Sequence, residues 1–126
     1  METVVKSIRI PSTQAKIFKQ YLTITKPLNG LRPQEIDVVS LLLFYYMQEK
    51  DNFKREEDCW KKVFSYEVKL EIKEKLNIKD YTLQNILSAL RKKQVIIKNK
   101  ITDYYIPKIT EDTKNFQVIF DFALHE

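Results

Sequence analysis

The chain has 126 residues, 44% apolar and 31% charged, with a formal charge of +5 from 22 Lys/Arg against 17 Asp/Glu. That describes one folded domain with room for a real core and a basic balance suited to a polyanionic partner. The only glycine is Gly30, where roughly nine would be usual, so the glycine-rich loops that cradle phosphates in P-loop and dinucleotide folds are excluded.

One cysteine, Cys59, and one histidine, His125, exclude a disulfide framework and CxxC or HExxH metal sites, and they fit a reducing compartment. Met1 to Lys6 lacks the basic head and apolar stretch of a signal peptide. The longest apolar run, Leu41 to Met47, falls far short of the ~20 residues that span a bilayer. The expected location is therefore the cytosol or a particle assembled there, with no membrane partner. Fourteen Ile and eighteen Lys against three Ala suggest an AT-rich genome, as in many bacteria and phages.

In chain order, residues 3–10 are rich in β-branched types and stop at Pro11, which predicts a strand. Ser12 is placed to cap a helix running to about Leu22, with Ala15, Phe18, Tyr21 and Leu22 on one face. Leu28-Asn29-Gly30 reads as a turn. Pro33 suits a first helical position and Glu35 the positive end of the dipole, so a helix is expected from Pro33 to about Lys50. Its side chains from Val38 to Met47 leave almost no polar face, which makes it either the central core helix or partly an oligomer contact. Residues 51–62 read as a loop or irregular helix with Trp60 folded back onto the core. Helix-favouring Glu and Lys outweigh a period-two alternation over residues 64–72, which predicts a helix from Tyr66 to Leu76.

Asn77-Ile78-Lys79-Asp80 follows as a tight connection, Asn77 suited to a left-handed conformation and Asp80 to a helix cap. Leu83, Ile86, Leu87 and Leu90 then recur at i, i+3, i+4 and i+7, an amphipathic helix ending at Arg91-Lys92-Lys93. Val95 to Ile97 and Ile101 to Ile106 read as the strands of a hairpin turning at Lys98-Asn99-Lys100. Residues 116–124 alternate apolar and other side chains as in a half-buried strand. The expected class is α+β, mostly helical, a single domain with flanking strands at 3–10 and 116–124.

A helix, a short turn, an amphipathic helix with a basic end and a hairpin together resemble a winged helix-turn-helix over residues 31–106. Leu31-Arg32-Pro33-Gln34-Glu35-Ile36 is similar to the opening of the first helix in bacterial winged-helix regulators of the MarR-like group. Ile72 to Ile78 resembles their second helix and turn, and Leu83 to Ile96 their recognition helix and the approach to the wing. Where the family carries glycine at the two bends, this chain carries Asn77 and Gln94. The resemblance implies a regulator or replication-associated factor of bacterial, phage or plasmid origin that binds duplex DNA, and the over-apolar helix at 33–50 and the terminal strands, either able to pair across a two-fold axis, add the expectation of a dimer.

It also implies a site. The helix face opposite the leucines presents Tyr81, Thr82, Gln84, Asn85, Ser88 and Lys92 to the major groove, where Asn85 or Gln84 suits an adenine edge. Lys79, Arg91, Lys92 and Lys93 face phosphates, and Lys98 and Lys100 lie at the wing tip. The plainer alternative is a solvated helix end. No acid–base pair stands out, Cys59 lacks a neighbouring histidine, and the acidic run Glu56-Glu57-Asp58 suits solvent better than a cation. A non-enzyme without metal or cofactor is expected. The alternative function is structural, an interaction protein of a larger assembly such as a phage particle, with its terminal strands added to a neighbour's sheet.

Overall fold

A computed structural model describes residues 2–125. The architecture is α+β and mostly helical. In order come α1 (Ile17–Ile24), α2 (Lys26–Asn29), α3 (Pro33–Glu49), α4 (Glu56–Val63), α5 (Tyr66–Leu76), α6 (Asp80–Lys92), β1 (Ile96–Ile97) and β2 (Lys100–Ile101). Single 3-10 turns at Lys50–Asn52 and Asp103–Tyr105 follow α3 and β2. Among the described residues no helix is long and apolar enough to cross a membrane.

The sequence sets the start of α3 in three residues within one turn. Arg32 is extended, Pro33 takes the first helical position with its φ already fixed, and Glu35 Oε1 accepts the Arg32 N–H at 2.8 Å. From Glu35 to Met47 no residue is exposed, because α1, α4, α5 and α6 all pack against this helix. Its apolar excess is thus absorbed inside one chain, and α3 is the central core helix. Around it the core gathers Phe18 and Leu22 of α1, Trp60 and Val63 of α4, Ile72 of α5, and Leu83, Leu87 and Leu90 of α6.

The bends before and after α6 use left-handed backbone without glycine. Asn77, closing α5, has φ 52° and Gln94, just after α6, has φ 63°. Asparagine tolerates that region through its short polar side chain, whereas glutamine meets the usual Cβ penalty there. Gln94→Gly is expected to stabilise the fold by about 1 kcal/mol, seen as a higher urea midpoint, and Asn77→Gly by clearly less.

Several expectations are corrected. Residues 3–10 and 116–124 form no strand: the β-branched run and the alternation are there, but the only sheet among the described residues is the β1–β2 pair, and neither segment hydrogen-bonds to it. The hairpin is shorter than expected, pairing only Ile96 with Ile101 and Ile97 with Lys100. Val95 is occupied in closing α6, and the chain turns away at Thr102 into the second 3-10 turn. Ser12 caps nothing; α1 opens at Lys16 with no side-chain cap. Leu28 and Asn29 end a short helix, α2, closed by Gly30 at φ 66°. Residues 56–63 form a regular helix, since Glu56, Glu57 and Asp58 sit at its positive end and Lys61 and Lys62 at its negative end. Trp60 does fold onto the core, stacked on Tyr46 with centroids 4.1 Å apart. Asp80 is the first residue of α6, and the cap position is Lys79.

Burial also sets the chemistry of the aromatic and thiol groups. The Tyr46 hydroxyl is pushed from 10.0 up to about 12, chiefly by burial and then by Glu56. Burial, then Glu49, lifts the Cys59 thiol from 9.0 to about 11. Both groups are held neutral by the fold, so their contribution to stability is complete below pH 9 and is lost as pH rises through 11 and 12. Alkaline titration followed by circular dichroism is expected to show cooperative unfolding in that window.

Candidate nucleic-acid interface

The site is built from the end of α5 to the end of β2. Asn77 N–H donates to the Glu74 carbonyl at 3.2 Å and Ile78 N–H to that of Lys73 at 3.1 Å, which ends α5 and turns the chain within three residues. Lys73 Nζ then pairs with Asp80 Oδ1 at 3.1 Å, tying α5 to the first turn of α6. With Leu83, Ile86, Leu87 and Leu90 buried, the far side of α6 carries Tyr81, Gln84, Asn85 and Ser88 in the open and Thr82 half-buried. Tyr81 is 65% exposed, an aromatic ring in water at the leading end of the helix.

The hairpin is fastened to the other end of α6. Val95 N–H donates to the Leu90 carbonyl at 2.9 Å, and Thr102 N–H to that of Val95 at 3.0 Å. Lys98 and Asn99 make a two-residue turn, both with positive φ, of the kind whose twist suits a hairpin. Ile96 and Ile101 point inward, while Ile97, Lys98 and Lys100 point outward.

Charge is concentrated here. Residues 79–100 contain six Lys/Arg against the single acid Asp80, so they carry the whole +5 of the chain and the remainder is balanced, sixteen against sixteen. Among the described residues Lys79, Arg91, Lys92, Lys98 and Lys100 are all exposed and none forms an ion pair.

Lys93 is the exception. Its Nζ lies 2.6 Å from Oε1 of Glu35, whose side chain is 4% exposed, and 3.3 Å from the Gly30 carbonyl. It locks the end of α6 to the start of α3 and is withdrawn from the set expected to meet phosphates. Arg32 and Gln34 were not legible as site residues. Both are exposed, Arg32 at the cap and Gln34 in the first turn of α3, and border Thr82 and Asn85 across an open groove of about 460 Å³. Only the packing of α3 against α6 brings them there; no sequence period links positions so far apart.

No family model, curated protein or solved structure matches this chain. The chemistry must be read from the side chains alone. Cys59 is buried with a raised pKa and sits away from this face, which suits packing rather than nucleophilic attack. Among the described residues no group of three His, Cys, Asp or Glu side chains is arranged to hold a metal ion. The Tyr45 hydroxyl is buried and, among the described residues, makes no close hydrogen bond; burial and then the nearby Glu71 raise its pKa. What the α6 face can do is present hydrogen-bonding side chains flanked by free cations.

Proposed function

We propose that the chain is a duplex DNA-binding protein of winged-helix type, a transcriptional regulator or replication-associated factor, with α6 in the major groove and the β1–β2 turn against the adjoining backbone. The observation that carries this is the confinement of the entire net charge to residues 79–100, where five of the six cations are exposed and, among the described residues, unpaired around a polar helix face. Phosphate contacts from cations fix register, and amide and hydroxyl side chains such as Asn85, Gln84, Thr82 and Ser88 distinguish base edges. The left-handed backbone at Asn77 and Gln94 supports the same arrangement, since those are the bends where the family places glycine.

Fluorescence anisotropy with a labelled duplex across a salt series tests it. With five free cations on phosphates, log K is expected to fall against log salt with a slope of about −4.5. Absence of binding at low salt overturns the proposal. Within it, Asn85→Ala is expected to flatten discrimination between base pairs by about 1 to 3 kcal/mol at one position. Lys98→Ala is expected to weaken all duplexes alike and to reduce the slope by about 1. Competition with a panel of duplexes separates the two behaviours.

A second role has one observation in its favour. The unpaired apolar segments at 3–10 and 116–124 suit a non-enzymatic structural protein of a larger assembly, such as a phage particle, with the helical core as scaffold. In that case the surface around Asn85 and Lys98 is covered by another protein in the assembly.

A further inference from the structure

Residues 2–12 and 114–125 have no regular structure, and among the described residues none of their backbone N–H groups donates within the chain. Both segments leave the body at one corner, where Gln14 Nε2 donates to the Glu111 carbonyl at 2.8 Å and Gln20 Nε2 to that of Pro11 at 3.3 Å. In residues 116–124 every second side chain, Phe116, Val118, Phe120, Phe122 and Leu124, is apolar.

The near half of that row is seated on the body. Phe116 meets the Tyr21 ring edge-on at 5.6 Å, and Val118 to Phe120 border a cavity of about 200 Å³ with Tyr21, Leu28 and Tyr105. The far half is bare, with Phe122 83% and Leu124 93% exposed, and Val4, Val5 and Ile8 are equally open on the other segment. The chain exposes 9778 Å² in total. A compact monomer of 15.1 kDa exposes roughly 7,100 Å². The surplus of roughly 2,700 Å² exceeds the ~800 Å² that each partner buries in a standard complex.

We propose that a second copy of this chain covers this surface: residues 116–124 of two copies pair antiparallel across a two-fold axis, with residues 3–10 as flanking strands. Antiparallel pairing of a segment with its own copy is self-complementary, residue i meeting j as j meets i. It satisfies the unpaired backbone and keeps both rows of Phe, Val and Leu on one face, over the tyrosines where Phe116 already sits. The flanking order follows from charge. Each 116–124 segment carries Asp121 as its only charged residue, whereas 3–10 carries Lys6 and Arg9. Groove, apolar row and charges all belong to this chain, so no foreign sequence is needed to complete the sheet.

The proposal stands independently of nucleic-acid binding and is tested without DNA. Sedimentation velocity of the full chain from about 1 to 100 μM is expected to give the mass of two chains. The double variant F122D/L124D changes two side chains that touch little within the chain. It is expected to weaken association at least about 100-fold with an unchanged circular dichroism melt of the helical body. Hydrogen exchange is expected to show amides 116–124 protected in the natural chain and open in the variant. A single-chain mass over the whole range overturns the proposal and leaves the segments for a different protein to cover. A dimer with those amides open, or one that survives F122D/L124D at full affinity, overturns it equally.

Discussion

Reversing two charges, R91E with K92E, is expected to reduce affinity for any duplex by about 100-fold or more near 0.1 M salt. The same change is expected to bring the salt slope from about −4.5 to about −2.7. Both side chains are exposed in the last turn of α6 and make no ion pair among the described residues. Each phosphate contact releases close to one counterion, worth about tenfold at that salt, and each introduced carboxylate adds repulsion from the backbone. Two acids in the last helical turn oppose the helix dipole, but only by about 0.3 to 1 kcal/mol each at an exposed site. The variant should therefore remain folded by circular dichroism while losing DNA. Titration of the variant and the natural chain against one duplex at three salt concentrations measures slope and affinity together. An unchanged slope would mean that these residues do not face phosphate, and the proposed placement of α6 would fall with them.

How far such a surface can be read from residue order depends on the range of the interactions that build it. The Leu83, Ile86, Leu87 and Leu90 spacing is local, and so α6, its inward face and hence its outward face were legible, as was the left-handed turn at Asn77. The helix over Tyr66–Leu76 was equally plain, because Glu and Lys favour helix wherever packing is undecided. The segment Glu56–Val63 was harder. Its acidic run looks like a solvated loop unless one counts the three carboxylates as a favourable first turn and notices that Cys59, Trp60 and Val63 fall on one side. The terminal segments could not be settled by alternation at all. Period two states which side chains share a face, but a strand exists only when a neighbour accepts its hydrogen bonds, and none is present among the described residues. Arg32 and Gln34 reach the α6 face only through the packing of distant helices, which no local pattern encodes.

Lys93→Met is expected to destabilise the fold by about 2 to 3 kcal/mol, a large effect for a residue that the sequence places at the end of a basic run. Lys93 Nζ is the only cation within ion-pair distance of Glu35 among the described residues, across a separation of 58 positions. Glu35 Oε1 also accepts the Arg32 N–H that starts α3, so the carboxylate is fixed in a buried place by the geometry of the helix it caps. Removing the ammonium leaves that charge with one backbone donor and the helix dipole, too little for a group with its side chain 4% exposed. The Lys93 side chain is 36% exposed, which keeps the expected loss below the 3 to 5 kcal/mol of a fully enclosed pair. Glu35→Gln keeps an acceptor for Arg32 and removes the charge, so the double variant K93M/E35Q is expected to recover about half of the stability lost in Lys93→Met. Urea unfolding of the natural chain, both single variants and the double variant measures the coupling. Strict additivity of the two single changes would show that Lys93 does not act through Glu35. It would return Lys93 to the set of cations available for phosphate, where its loss would instead lower the salt slope by about 1.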